Sequence, residues 1–160
     1  MLLAAAVACG GAAPLGPQDS SSNRLGAWIP DSTATILHTS LSQLANPDLQ
    51  VVSTRPEWTA LWSQTWAGVD SAPPLPQIDF VLSSVLVVAL GKRAGPGYSV
   101  SIDSVVLHTN GAVLFATELE AGAHCTPPAG TSAAVHMVLA PGHPPVIDWQ
   151  VGTMRQDCAP

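Results

Sequence analysis

The sequence predicts an α+β domain in which one tryptophan-rich amphipathic helix packs on an antiparallel β meander, laid out as a single sheet or a small sandwich. Three observations carry this reading. Trp58, Leu61, Trp62 and Trp66 recur at helical spacing behind a capping sequence. Residues 85–90 form an unbroken apolar run of strand length. From Tyr98 to Val151, apolar and polar residues alternate in segments parted by turn residues.

With 160 residues the chain is long enough to bury a core of its own. Its formal charge of −6, from 11 acidic and 5 basic residues, leaves no basic patch to release counterions from nucleic acid or to bind an anionic membrane surface. The content of 15 Pro and 13 Gly favours turns and strands over long helices.

Residues 1–8 are apolar and end in small side chains, too few to span a bilayer, which takes about 20 residues. They fit the end of an export signal. Val7-Ala8-Cys9-Gly10 resembles the bacterial lipobox, whose cysteine is acylated and becomes the first residue, although Ala6 stands where leucine is usual and no Lys or Arg precedes the run. The expectation is an exported lipoprotein of the bacterial cell envelope, anchored at Cys9. Residues 9–23 then form a flexible tether with a reach of roughly 20 Å, ahead of a single domain over 24–160.

"AWIP", "ATILHT" and "LQVVS" read as short strands before the helix. In the helix, Thr54 and Glu57 are spaced as a capping box, each side chain satisfying the other's backbone amide, and Gly68 supplies a left-handed stop. Each indole buries roughly 150–250 Å², so the tryptophan stripe is assigned to the core rather than to a ligand platform. "VDSAPPLPQ" is a connection that neither helix nor central strand can accommodate. In the apolar segment 85–90, the run predicts a central strand covered on both faces.

"GKRAGPG", residues 91–97, reads as a hairpin loop. Gly91-Lys92 opens it and a strand follows, whereas a phosphate cradle needs Lys at the end and a helix after it. Tyr98, Val100 and Ile102 form one face of the next strand, and a phase slip at Ser104-Val105 predicts a bulge. Asn110-Gly111 marks a second hairpin. Val113, Phe115, Thr117 and Leu119 are expected to face inward, with Glu118 and Glu120 outward. Val135, Met137 and Leu139, then Ile147, Trp149 and Val151, complete the meander.

No catalytic constellation emerges. His124, Cys125, His136 and His143 lack zinc-ligand spacing, and His136 alternates with core positions as a sheet-face residue. Ser132 has no evident base, there is no G-x-S-x-G elbow, and Asp79 reads as a carboxylate capping local amides. No catalytic residue, metal or cofactor is therefore expected. Export would place Cys125 and Cys158 in an oxidising compartment, where two thiols pair, contributing about 3 kcal/mol. Acylation of Cys9 would account for the odd cysteine.

"IDFVLSSVLVVALG" followed by "GPGYSVSI" resembles the C-terminal domain of the protease complex subunit PrcB family. Asp79-Phe80, the apolar strand 85–90, Gly91 and Gly97-Tyr98 carry the resemblance. Glu57-Trp58, Leu61-Trp62 and the Gly122-to-Cys125 loop extend it, so that it covers about residues 78–139 with looser likeness from 54. Pro96 departs from the family's Gly-Gly-Tyr turn, and Ala133-Ala134 from a Pro-Tyr pair. The resemblance implies a non-catalytic, surface-tethered module that binds or stabilises an envelope or secreted protein, such as a protease complex. Lys92, Arg93 and Tyr98 are the candidate contact residues. Two rival readings are a small-ligand or glycan binder using exposed tryptophans, and a protease-inhibitor-like domain.

Overall fold

A computed structural model of the chain describes residues 24–122, 125 and 130–157. Cys9 and the tether, His124 and Cys158 lie outside the described residues. The elements in order are β1 (Arg24–Trp28), β2 (Thr35–Thr39), β3 (Pro47–Val52), α1 (Arg55–Thr65), β4 (Ser83–Ala94), β5 (Ser99–His108), β6 (Gly111–Ala121), β7 (Thr131–Pro141) and β8 (Val146–Gln156). They build two four-stranded sheets, ordered β1-β5-β6-β8 and β2-β7-β4-β3. The three short strands before the helix thus supply an edge to the first sheet and both edges to the second.

The second sheet is the middle layer. On one face Leu86, Val88, Leu90, Ala134, Val138 and Ala140 meet Val100, Ile102, Val105, Ala112, Leu114 and Ala116 of the first sheet. On the other, Val85, Val87, Ala89, Val135 and Met137 meet Trp58, Leu61 and Trp62 of α1. Covering on both sides is why residues 85–90 lack alternation. At about 1.5–3 kcal/mol for each fully buried aliphatic side chain, these two clusters supply the main drive to fold.

The helix begins as its sequence predicts. The Glu57 amide donates to Thr54 Oγ1 at 3.4 Å, while Glu57 Oε2 accepts from the Thr54 and Ser53 amides at 3.1 and 3.2 Å. These bonds hold the Glu57 carboxyl below its ordinary pKa. Gly68, at φ 73°, ends the turn that follows. Trp58 Nε1 donates to the Pro76 carbonyl and Trp62 Nε1 to the Pro73 carbonyl, both at 3.0 Å. The proline-rich connection therefore provides acceptors for buried indoles, a role its missing amide hydrogens leave intact. Asp79 Oδ1 accepts from the Val81 amide at 2.9 Å, the local capping expected of it.

The connectivity corrects the expected meander in four places. Residues 91–97 do not form a hairpin: Gly91 to Ala94 belong to β4, and the chain then leaves the second sheet to begin β5 in the first. Gly91 sits at a register shift, at φ 69°, where an added Cβ would lie 2.6 Å from the backbone of Asn46 and Pro47. Its role is to let the 45–47 segment pass against the strand.

The second correction concerns β6. Ala112, Leu114 and Ala116 face the core, while Val113, Phe115, Thr117 and Leu119 are only half-buried on the outer face. Glu118 and Glu120 share the inner phase and lie at the end of the sandwich. The inner face carries Leu114 flanked by Ala112 and Ala116, so summed side-chain bulk was a poor guide to the buried side.

Third, the β5–β6 hairpin exists, but its turn is Thr109-Asn110. Gly111 already pairs with His108, and its missing side chain admits Ile147, whose atoms would lie 2.7 Å from a Cβ.

Fourth, β8 pairs parallel with β6 rather than antiparallel with β7. The 141–145 segment carries the chain between sheets: Gly142 N bonds Leu82 O, and Pro145 O accepts from Ala112 N, at 2.8 and 2.9 Å.

Candidate functional site

The fold gathers the candidate contact residues at one pole of the sandwich. There the end of β4, the 95–98 crossing, the ends of β6 and β8 and the start of β7 converge. Gly95 N bonds Gly130 O at 2.9 Å, and Ser132 Oγ donates to Gly95 O at 3.0 Å, fixing the crossing. Lys92 is exposed, whereas Arg93 and Tyr98 are half-buried.

Arg93 is not a free loop-tip charge. Its Nε lies 3.3 Å from Glu118 Oε1, joining β4 of one sheet to β6 of the other, with side-chain exposures of 33% and 12%. Beside it, Arg155 Nε meets Glu120 Oε2 at 3.2 Å. Of the two, only the part-buried Arg93–Glu118 pair links the two sheets; Arg155–Glu120 joins β8 to β6 within one sheet and is largely exposed at Arg155. Tyr98 packs its ring against the inter-sheet core. A cleft of about 380 Å³ opens between Gly97, Leu119, Glu120, Ala121, Cys125, Gln156 and Asp157. The Gly122 amide donates to Gln156 O at 2.8 Å, and Cys125 Sγ lies 3.5 Å from the same carbonyl.

No family model, curated protein or solved structure matches the chain. The reading of this pole rests on its geometry and chemistry.

A second polar feature lies between the sheets. His136, on β7, is 5% exposed and turns its ring toward the first sheet. Its Nδ1 accepts from the Ile102 amide at 2.8 Å, and its Nε2 lies 3.1 Å from Thr35 Oγ1. A backbone amide can only donate, so Nδ1 is unprotonated and the hydrogen sits on Nε2, which donates to Thr35. The His38 ring lies against it, centroid to centroid 4.7 Å. Burial, and secondarily the charge of His38, push His136 down to a pKa of about 4. Ile102 has this amide to offer because β5 bulges between Ile102 and Ser104, the slip expected from the sequence.

None of the five tryptophans is exposed. Trp58 and Trp62 are core, as expected; Trp66 is half-buried with its Nε1 lacking a hydrogen-bond partner, and Trp28 and Trp149 pack at the margin of the inter-sheet core. Among the described residues no group of three His, Cys, Asp or Glu side chains is arranged to hold a metal ion. Ser132 spends its hydroxyl on Gly95 and Asp79 on its own turn.

Sequence reasoning missed the Arg93–Glu118 pair, which forms only because the end of β4 in the second sheet packs against β6 in the first. It missed the His136–Ile102 bond too, although a lone polar residue in the apolar run of β7 was a visible signal.

Proposed function

We propose that this chain is a non-catalytic module of the bacterial cell envelope, tethered through an acylated Cys9 and related in kind to PrcB-like accessory subunits. It binds a secreted or envelope protein, for which a protease complex is the class implied by the resemblance. The observation that supports this most is the opposition of two poles. The chain enters the sandwich at Arg24, which pairs with His108 at the far end of β5, whereas Lys92, Arg93 and Tyr98 stand beyond Ser99 at its near end. The 10 residues of β5, at about 3.3 Å each, separate these ends by about 30 Å. A tether arriving at one pole leaves the other, with its exposed Lys92 and acid-lined cleft, directed away from the membrane.

The proposed Cys125–Cys158 bridge would brace that distal pole, and the approach of Cys125 to Gln156 favours it. The half-buried or buried setting of all five tryptophans weighs against a glycan-binding platform.

Site-specific photocrosslinkers at Lys92 and at Thr109, in cells producing the full chain, test the polarity. Adducts with another protein are expected from Lys92 and not from Thr109; silence at Lys92, or equal yield at both sites, overturns the assignment. Intact mass of the membrane-extracted chain tests the rest. Acyl mass on a chain starting at Cys9, with two alkylation sites appearing only after reduction, is expected. An intact N-terminus with free thiols would refute anchor and bridge together.

A further inference from the structure

Exposed apolar side chains are ordinary when scattered, as Leu41 and Met154 are near the Lys92 pole, but most of the strongly exposed ones gather at the pole where β1 begins. Leu25, Ile29, Val81, Leu82 and Ile147 are all at least 59% exposed, and Val81 reaches 84%. The structure joins them into one crown. The Leu82 carbonyl accepts from Gly142, next to Pro141. Pro141 shares one depression with Ile29 and Trp28, and an apolar pocket of about 270 Å³ with Trp28, Leu107, Pro144 and His143. Leu107 pairs with Gly26, beside Leu25, and Ile147 lies over Gly111 at the adjoining hairpin.

Val81 and Leu82 are held outward rather than left loose. Asp79 caps their turn through the Val81 amide, and Leu82 N donates back to Asp79 O at 3.2 Å. The result is a firm turn presenting two adjacent aliphatic side chains to solvent. Of the five basic residues, Lys92, Arg93 and Arg155 stand at the opposite pole; Arg24 and Arg55, the latter bonded to Gln77, lie near the crown, where Asp31 and Asp79 offset them. Attraction to anionic headgroups therefore contributes little, and apolar insertion is the available mode of contact.

We propose that this crown is a lipid-docking surface: the domain rests on the bilayer through the Val81–Leu82 turn and the Leu25–Ile29 edge. The occupant is a lipid surface because residues 1–23, apolar at their start, join the domain at Arg24, within this crown. A short anchor brings a bilayer to this pole before any other partner. The proposal takes from the preceding reading only the delivery of the chain to a membrane. Docking here also holds the domain upright, with the Lys92 pole directed outward.

The test uses the full chain with Cys9→Ser, which removes the acyl group, and zwitterionic phosphatidylcholine vesicles sedimented with it. Association is expected, with partitioning weakened about tenfold by Val81→Ser and further by the double variant Val81→Ser/Leu82→Ser, since burial of one aliphatic side chain is worth about that factor. Lys92→Ala should leave it unchanged. Because Val81 and Leu82 are exposed, thermal unfolding should confirm that both variants stay folded. Failure to sediment, or equal binding by the double variant, overturns the docking surface, as does a monomer–dimer equilibrium abolished by Leu82→Ser, which would identify a second copy as the occupant. Acylated native protein with vesicle-indifferent Cys9→Ser chain would retain the anchor and refute the docking. An unacylated Cys9 with Val81-dependent binding would do the reverse.

Discussion

Lowering the pH should loosen the sandwich through His136. In the folded chain its Nδ1 accepts from Ile102 and its Nε2 donates to Thr35, an arrangement open only to the neutral ring. Protonation would set an N–H against the Ile102 amide and bury a charge beside His38, the titratable group that faces it; Asp103, next to Ile102, is bonded instead to Thr117 on the outer face. The folded pKa of about 4 lies below the ordinary 6.5, so the unfolded chain binds the proton first as pH falls. The contribution is therefore complete above pH 6.5 and is lost as pH falls toward 4. The depression is worth about 3 kcal/mol in full, of which about 2 kcal/mol is gone at pH 5. Urea unfolding of the wild type and of His136→Asn, at pH 7.5, 6, 5 and 4.5, reads this directly. The asparagine keeps an acceptor for Ile102 and cannot titrate. It should cost about 1–2 kcal/mol at pH 7.5 through loss of the Thr35 bond and of packing, and its stability should hold nearly level to pH 5. A wild type whose stability is flat over that range, or a variant that falls as steeply, would refute the reasoning.

Three further outcomes follow from the fold. Gly91→Ala places a Cβ against the Asn46–Pro47 backbone at positive φ, and should lower unfolding free energy by about 3 kcal/mol with weakened hydrogen-exchange protection in β3. Thr54→Ala removes one half of the capping box and should cost about 1 kcal/mol by denaturant midpoint, with no change in tryptophan emission. Glu118→Ala strands the half-buried Arg93 guanidinium and should destabilise by about 1–2 kcal/mol. Arg93→Ala added to it should cost little more, and strict additivity in that double-mutant cycle would dismiss the pair as an inter-sheet contact.

Local chemistry was legible wherever neighbours in sequence decide the outcome. Thr54 and Glu57 cap α1, Asp79 caps its own turn, the bulge after Ile102 follows from a broken alternation, and the apolar run 85–90 is covered on both faces. The phase of β6 was misread because Val113 and Phe115 outweigh Ala112 and Ala116 in hydrophobicity, yet the two alanines and Leu114 face the other sheet, whose Leu86, Val88 and Leu90 fill the space they leave. The candidate pole was half legible. Lys92, Arg93 and Tyr98 were picked out by composition, but a pattern along one strand carries no sign of Glu118 arriving from the other sheet.

Periodicity and composition were enough for the helix with its caps, the strands in outline and the burial of Trp58 and Trp62, because each depends on neighbours along the chain. The tertiary structure alone shows that β4 and β5 lie in different sheets, that β8 returns parallel to β6, that His136 bonds across the interior, and that Leu25, Ile29, Val81, Leu82 and Ile147 share one end of the sandwich. Strand alternation specifies which residues share a face, not which sheet a strand joins. That choice is made by long-range packing and by connections such as the Gly91 bulge and the 141–145 crossing, whose geometry exists only once both sheets are in place.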